Sequence, residues 1–374
     1  MNIEEELKKD GITVIKPVDT LSVTLIAKFV AEKFVTFFPF AHFHYHDLFV
    51  KIARLNMYIA DIPDGIAQAN YFYKNSSIYF KNGLSIDEMK ELCIHEFLHH
   101  FQEIKDQKGN LYRLGLCDYT GIKVHGSALN EAAVQLISSK ILKNKEEPVK
   151  YYGIEFSTKT PSYYPLLCNL ISQMAYVVGE VVLYDSTLYS NDRFKRAFIY
   201  STSEDTFQQV EKNFDKIMDI EEKIILANLK LQNNDLVQNE VLKINTQIKN
   251  YKKEIQNTFI ETQNKIFTSY FNKRLNSLFS AQDIEDFRKK LYSYSALIGT
   301  TDNYTYFNDF YNNLMDKLDI VYEKITINTS LVTYRRSFWH ILFGKVAKIF
   351  GIAKFSEAVK RDGSIWPSLY FLKL

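Results

Sequence analysis

Residues 85–104 read SIDEMKELCIHEFLHHFQEI and carry the clearest helix signal in the chain. The stretch opens with Ser85 and, three residues later, Glu88, which is the capping-box pattern of a helix start. Apolar residues then recur at helical spacing, at Met89, Leu92, Phe97, Phe101 and Ile104. The pattern therefore predicts an α-helix that begins after Ser85 and ends at Gly109, because glycine is favoured just beyond a helix C-terminus.

This helix contains the run His95-Glu96-Phe97-Leu98-His99. Residues four apart on a helix share one face, so His95 and His99 can hold a single ion through their imidazole nitrogens. Glu96 is rotated by one residue and lies beside that ion, where it can take a proton from a water molecule activated by the metal. The run therefore predicts a zinc site with Glu96 as general base.

A catalytic zinc site needs a third protein ligand, and Glu131 is the preferred candidate. It lies on a second predicted helix, from about Ser127 to Asn144, among small and apolar neighbours. A glutamate in such surroundings is costly to bury unless a cation neutralises it. His125 and Glu103 are the alternative third ligands.

The His-Glu-x-x-His run followed by Asn130-Glu131 resembles the gluzincin branch of the zincin metallopeptidases, the thermolysin-like fold. The resemblance covers about residues 12–183. It implies an α+β zincin-like catalytic domain, in which a small twisted sheet precedes the active-site helices. Its edge strand, expected at Ala67–Tyr73, would bind the substrate backbone by β-addition.

The resemblance is incomplete in the surroundings of the metal ligands. Thermolysin-like enzymes have an aspartate four residues after the third ligand to orient a zinc-bound histidine, whereas this chain has Gln135. Such enzymes also use a tyrosine or histidine to stabilise the oxyanion. His125 is the preferred candidate for that role, with Tyr119, Tyr163 and Tyr164 as alternatives.

Hydrophobic periodicity predicts further elements before and after the motif helix. Strands are expected at residues 12–17, 57–60, 67–73 and 77–81, and helices at 21–38, 47–55 and 165–183. From about residue 201 the apolar spacing favours long antiparallel helices with a turn at residues 232–235, and another helix is expected at 304–325. The expected domains are a catalytic domain at 1–200, a helical bundle or coiled hairpin at 201–335, and an amphipathic, apolar segment at 336–374.

Composition narrows the choice of partners and compartment. The net charge is only +2, with 46 basic and 44 acidic residues, so nucleic acid is not expected as a partner. Three cysteines without a CxxC pair indicate neither a disulfide framework nor a thiolate zinc site. The acidic N-terminus lacks the features of a signal peptide, which favours a cytoplasmic location. Residues 335–355 are basic and apolar, which leaves peripheral membrane contact as an alternative to docking on the helical bundle.

A second group of histidines, at positions 42, 44 and 46, would share one face of a strand and could then bind a second metal. A preceding proline and a following helical pattern favour a loop that enters a helix instead.

Taken together, the residues and the resemblance predict a zinc-dependent metallopeptidase that acts on peptide or protein substrates. The alternative is a catalytically idle zincin-like scaffold that binds a partner through its helical C-terminal half.

Overall fold

The computed structural model describes residues 3–9, 11–63, 67–119, 124–232 and 237–349, apart from the side chains of Glu4 and of residues 328–349. The fold is α+β. Its helices are α1 Ile3–Lys9, α2 Thr20–Phe37, α3 Tyr45–Ala53, α4 Ile86–Gln102, α5 Ser127–Ile141, α6 Pro165–Val178, α7 Glu180–Tyr189, α8 Arg193–Ser201, α9 Glu204–Leu231, α10 Gln238–Leu275, α11 Ala281–Tyr294 and α12 Tyr306–Ile349. Its strands are β1 Thr13–Pro17, β2 Asn56–Asp61, β3 Ala69–Phe72, β4 Ser77–Lys81, β5 Glu103–Lys105, β6 Leu111–Leu114, β7 Cys117–Asp118, β8 Glu147–Tyr151 and β9 Ile154–Thr158.

The main sheet has four strands in the order β1-β2-β4-β3, and it lies before α4 in the chain. The central strands β2 and β4 run parallel, with Met57 opposite Ile78. The strands at the two edges, β1 and β3, run antiparallel to their neighbours. All four strands were predicted close to these positions. β3 contacts α4, so one edge of the sheet lies alongside the motif helix.

The start of α4 is the predicted capping box. The backbone N–H of Glu88 donates to Ser85 Oγ at 3.3 Å, and the Glu88 carboxylate accepts from the backbone N–H of Ser85 at 2.7 Å. The predicted end at Gly109 is wrong, because the helix stops at Gln102 and the chain turns into β5. β5 pairs with β6 in a hairpin, and Gly109 provides the positive φ of 82° near its turn.

The apolar segment predicted as one helix at residues 165–183 is two helices. Gly179 separates α6 from α7 with φ 116° and ψ 127°, a backbone conformation outside the helical region. In the described part of the chain no single helix is long and apolar enough to cross a membrane. Among the described helices, only the pair α6 and α7 is long and apolar enough when taken together, and the two helices are bent by 112° where they join.

The predicted helical hairpin is present as α9 and α10, which pack antiparallel. Asn213 Nδ2 donates to Thr262 Oγ1 at 2.9 Å, and further along α9 Lys216 pairs with Glu254 at 2.9 Å. The predicted turn at residues 232–235 lies mostly outside the described residues, as do residues 350–374 of the predicted C-terminal segment.

The chain divides into two compact units, and the division differs from the expected domain boundaries. One unit comprises Met1–Asn276 with Leu291–Asp309, and the other comprises Ser277–Lys290 with Phe310–Leu374. The first unit continues past residue 200 because α9 packs against α5 and α10 packs against α6. The first part of the predicted bundle therefore belongs to the unit that holds the His-Glu-x-x-His helix.

Candidate metal centre

Helix α4 presents His95 and His99 on one face and anchors its opposite face in the core. Ile94, Phe97 and Leu98 have no solvent exposure. The Phe97 ring meets Phe34 of α2 edge-on, with ring centroids 5.1 Å apart. Packing of the buried side of α4 thus fixes the orientation of the helix about its own axis, so that both histidines face α5.

Glu131 of α5 meets both histidines. The Nε2 atoms of His95 and His99 lie 3.0 Å apart. Glu131 Oε2 lies 3.4 Å from His95 Nε2, and Glu131 Oε1 lies 3.3 Å from His99 Nε2. Donors about 2.0–2.1 Å from a tetrahedral ion are separated by roughly 3.3 Å, so these distances match those of a metal site.

These three residues could hold a metal ion, and no other group of three or more His, Cys, Asp or Glu side chains in the described residues could do so. Histidines 42, 44 and 46 do not form such a group. His42 has a left-handed backbone, His44 caps α3, and α3 begins at Tyr45, so this run is the loop that the sequence favours.

The carboxylate of the centre is in the form that binds a metal, whereas His99 must lose a proton to become a ligand. Burial opposes the charged form of His99, but the adjacent Glu131 carboxylate outweighs this effect and raises the pKa of His99 to about 9. Burial also acts to raise the pKa of Glu131, but His99 and His95 hold it well below its usual range. Glu131 is therefore ionised at neutral pH, as a metal-binding carboxylate must be.

Gln135 occupies the position where the resemblance leads one to expect an aspartate, and it contacts a candidate ligand. Its Oε1 lies 3.0 Å from Nδ1 of His95. Because an amide oxygen can only accept, Nδ1 carries the proton of this contact, and Nε2, the atom that faces Glu131, is the one available to a metal. Gln135 thereby orients the His95 imidazole, a role that the sequence left open.

Asn130, the residue before Glu131, joins α5 to the end of α4. Its side-chain amide forms reciprocal 3.3 Å hydrogen bonds with the amide of Gln102, and both residues are buried. Its Oδ1 also accepts from the backbone N–H of Leu116 at 3.0 Å. A Cβ atom on Gly115 would lie 2.1 Å from Asn130 Oδ1, so only glycine fits there. This contact fixes the position of Glu131 relative to the histidines.

Glu96 lies beside the three candidate ligands and is 7% exposed. Burial raises its pKa, and the charges of His95 and His99 oppose that rise. The backbone N–H of Tyr71 in β3 donates a hydrogen bond to its carboxylate. The edge strand and the candidate base are thus in direct contact, which sequence reasoning could not foresee because 25 residues separate them.

The structure does not bring His125 into this group. Its backbone bridges to Asp118, its side chain is exposed, and the carboxyl groups on which its charge acts are those of Glu211 and Asp215 in α9. Glu103, the other alternative ligand, accepts from Tyr71 Oη at 2.7 Å and pairs with Lys105. His100 contacts the same tyrosine hydroxyl through Nδ1 at 2.8 Å.

Among the tyrosines considered for oxyanion stabilisation, Tyr164 is the one whose hydroxyl group is influenced by both carboxylates of the centre. Burial raises its pKa, and the charges of Glu131 and Glu96 contribute to the rise. Its backbone is left-handed, with φ 47°, which is uncommon for tyrosine and is found at functional sites. Tyr119 is influenced by Glu131 only weakly, after burial and Cys117. Tyr163 is influenced by Lys81 instead.

Comparison of the chain with protein-family models, with curated proteins and with solved structures finds no match.

Proposed function

We propose that the protein is a zinc-dependent metallopeptidase in which His95, His99 and Glu131 hold Zn²⁺ and Glu96 is the general base. The observation that carries the proposal is the convergence of two imidazole nitrogens and one carboxylate at mutual distances of 3.0, 3.3 and 3.4 Å. Two histidines and a glutamate are the ligand set of a known class of catalytic zinc sites.

The proposed site is accessible to a reactant. The Glu131 side chain is 28% exposed, whereas that of His99 is 8% exposed, so the centre opens to solvent on the α5 side. Three protein ligands leave a fourth coordination position for water or substrate, which distinguishes a catalytic zinc site from a structural one.

The chain's own residues supply the proton transfers. Bound Zn²⁺ would lower the pKa of water and polarise the scissile carbonyl. Glu96 takes the proton of the attacking water and delivers it to the leaving amine. The Tyr71 N–H orients the Glu96 carboxylate. Tyr164 replaces His125 as the preferred donor to the oxyanion because the charges of Glu131 and Glu96 both act on its hydroxyl group.

The position of β3 supports a peptide as the substrate. β3 is at the edge of the sheet, so one side of its backbone has no partner strand among the described residues. An extended peptide can pair with that side and lie across the centre, because β3 contacts α4 and Tyr71 touches Glu96.

Metal content and peptide hydrolysis test the proposal in the same set of variants. The unmodified protein should contain zinc in a one-to-one ratio and hydrolyse a mixed peptide library. His95→Ala should lose the metal. Glu96→Gln should keep it while hydrolysis falls by about 10²–10⁴-fold.

His44→Ala is the matched control because this histidine is exposed and its side chain forms no capping hydrogen bond. This variant should change neither the zinc content nor the rate of peptide hydrolysis. A folded protein without zinc would contradict the proposal at its first step, and zinc without hydrolysis would favour the idle scaffold.

A further inference from the structure

A second concave site lies between α3 and the C-terminal end of α4. The cavity measures about 420 Å³, which is within the range of small-molecule pockets. Its walls include Lys51 and Arg54 of the α3 side, together with His46, and His100 of α4. His100 follows His99 by one residue and is therefore rotated by about 100° around α4, which places the cavity away from the metal ligands.

Basic side chains dominate this cavity. Asp47 is the only acidic residue in its wall, against Lys51, Arg54 and His46. No carboxylate of the described residues forms an ion pair with Lys51 or Arg54, whereas many other lysines and arginines of the chain are paired. The two cationic side chains, Lys51 and Arg54, thus outnumber the carboxylate of Asp47 in the cavity wall, and neither of them is held in an ion pair with a described residue.

Lys51 is exposed to solvent, has no counter-charge in contact among the described residues, and packs its side chain over an aromatic ring. Its Nζ lies 4.3 Å from the centroid of the Phe101 ring. Burial lowers its pKa, and the charge of Glu103 only partly opposes this. Glu103 is already engaged by Lys105 at 2.7 Å and by Tyr71 Oη at 2.7 Å. An anion in the cavity would provide the contact that Lys51 lacks.

We propose that this cavity binds a small molecule that carries a phosphate group, with Lys51 and Arg54 as the charged donors and His46 as a further donor. A guanidinium group presents paired N–H donors that match the oxygens of a phosphate, and a lysine adds a compact charge. Its volume leaves room for more than the phosphate itself, so the ligand is a phosphate ester rather than the bare ion.

Isothermal titration calorimetry with inorganic phosphate and with pyrophosphate, at low ionic strength, tests the proposal on the full chain. Both probes should bind the unmodified protein. The double variant Lys51→Ala/Arg54→Ala should bind them at least about tenfold more weakly, because it removes two charge-assisted contacts. Lys51→Arg/Arg54→Lys keeps both charges and should therefore still bind both probes. Its binding would also show that the fold tolerates substitutions at these two positions.

Two controls separate this site from other sources of anion binding. Lys212→Ala/Lys223→Ala removes two exposed positive charges from α9 and should leave the affinity unchanged. Glu131→Gln removes a proposed metal ligand and should also leave it unchanged, so phosphate captured by a bound metal can be recognised. The proposal is overturned if neither probe binds the unmodified protein, or if the two double alanine variants bind equally well.

Discussion

Gln135 determines how His95 can act as a ligand. A neutral amide accepts the Nδ1 proton and fixes the tautomer, as an aspartate would, but it does not add negative charge next to the imidazole. His95 should therefore be a less basic ligand than a histidine backed by a carboxylate. Gln135 should therefore affect the affinity for the metal rather than the stability of the fold, because its contact with His95 lies at the rim of the centre.

Replacing Gln135 by alanine should weaken zinc binding by about 10–100-fold, the usual cost of losing a partner that orients a ligand. Gln135→Glu should bind zinc at least as tightly as the unmodified protein, because a carboxylate accepts the same proton and adds charge. Competition with a chromophoric chelator measures both. Gln208→Ala, at an exposed position in α9, is the control, and an unchanged affinity in Gln135→Ala would contradict the role given to Gln135.

The sequence was sufficient to predict those parts of the centre that one helix or one local pattern determines. The spacing of His95 and His99 determines their shared face, and the apolar surroundings of Glu131 marked it as a candidate ligand. The contacts of Gln102 with Asn130 and of Tyr71 with Glu96 join residues on different elements. No local pattern records such pairs. The sequence also favoured His125, whose side chain is exposed and lies outside this group, because proximity in space is not visible in residue order.

Ser190 links three elements around the end of α4. Its Oγ donates to the carbonyl oxygen of Gln102, the last residue of α4, and accepts from the backbone N–H of Gly115 at 2.8 Å. Ser190 itself is the C-cap of α7 and is 5% exposed. One hydroxyl group thus satisfies a helix carbonyl and an amide of the β6–β7 turn, both of which are far from water.

Ser190→Ala should lower the free energy of unfolding by about 1–3 kcal/mol, because it leaves a buried donor and a buried acceptor without partners. Urea denaturation followed by circular dichroism measures the change. Ser295→Ala serves as control, because the Ser295 hydroxyl is exposed and donates only to the carbonyl of Tyr292 three residues earlier. Equal effects of the two substitutions would argue against the linking role of Ser190.

The two elements that sequence periodicity misjudged have separate causes. Ile104 continues the apolar spacing of α4, yet it lies in β5 and is 40% exposed, because the pairing of β5 with β6 outweighs the local helical preference. The break at Gly179 depends on one backbone conformation inside a continuous apolar run. The starts of α4 and of strands β1, β2 and β4 depend on local capping and alternation, and these were predicted closely.

Glu221 makes the stability of the whole fold depend on pH. It lies on α9, is 6% exposed, and its Oε1 has no hydrogen-bond partner. Burial raises its pKa to about 8. Had α9 belonged to a separate appendage, as the sequence suggested, this carboxyl group would have been expected to face water. Its burial reflects the position of α9 within the larger unit.

Glu221→Gln should stabilise the protein, and more so at alkaline pH. The folded pKa lies above the unfolded value, so the folded state holds a proton that the unfolded state releases. The stability of the unmodified protein should therefore fall as pH rises from about 4.5 to about 8, by up to about 5 kcal/mol from this group. The free energy of unfolding is measured by urea denaturation near pH 5 and near pH 8.5, for the variant and for the unmodified protein. These two pH values span most of the range over which Glu221 should reduce stability.

Glu222→Gln is the matched control because the neighbouring side chain is exposed. It should not reproduce the pH-dependent gain. If Glu221→Gln raised the free energy of unfolding equally at both pH values, the inference that Glu221 is a buried carboxyl group without a compensating partner would be contradicted.

The three cysteines are all buried as free thiols: Cys93 lies on α4 itself, and Cys117 on β7 and Cys168 on α6 lie on elements that contact α5. An alkylating reagent can reach them only when the corresponding element opens, since burial both shields each sulfur and raises its pKa. The chain therefore carries its own reporters of local opening. The order in which the thiols become labelled would rank how often the motif helix, the hairpin after it and the helix beyond α5 depart from the folded state.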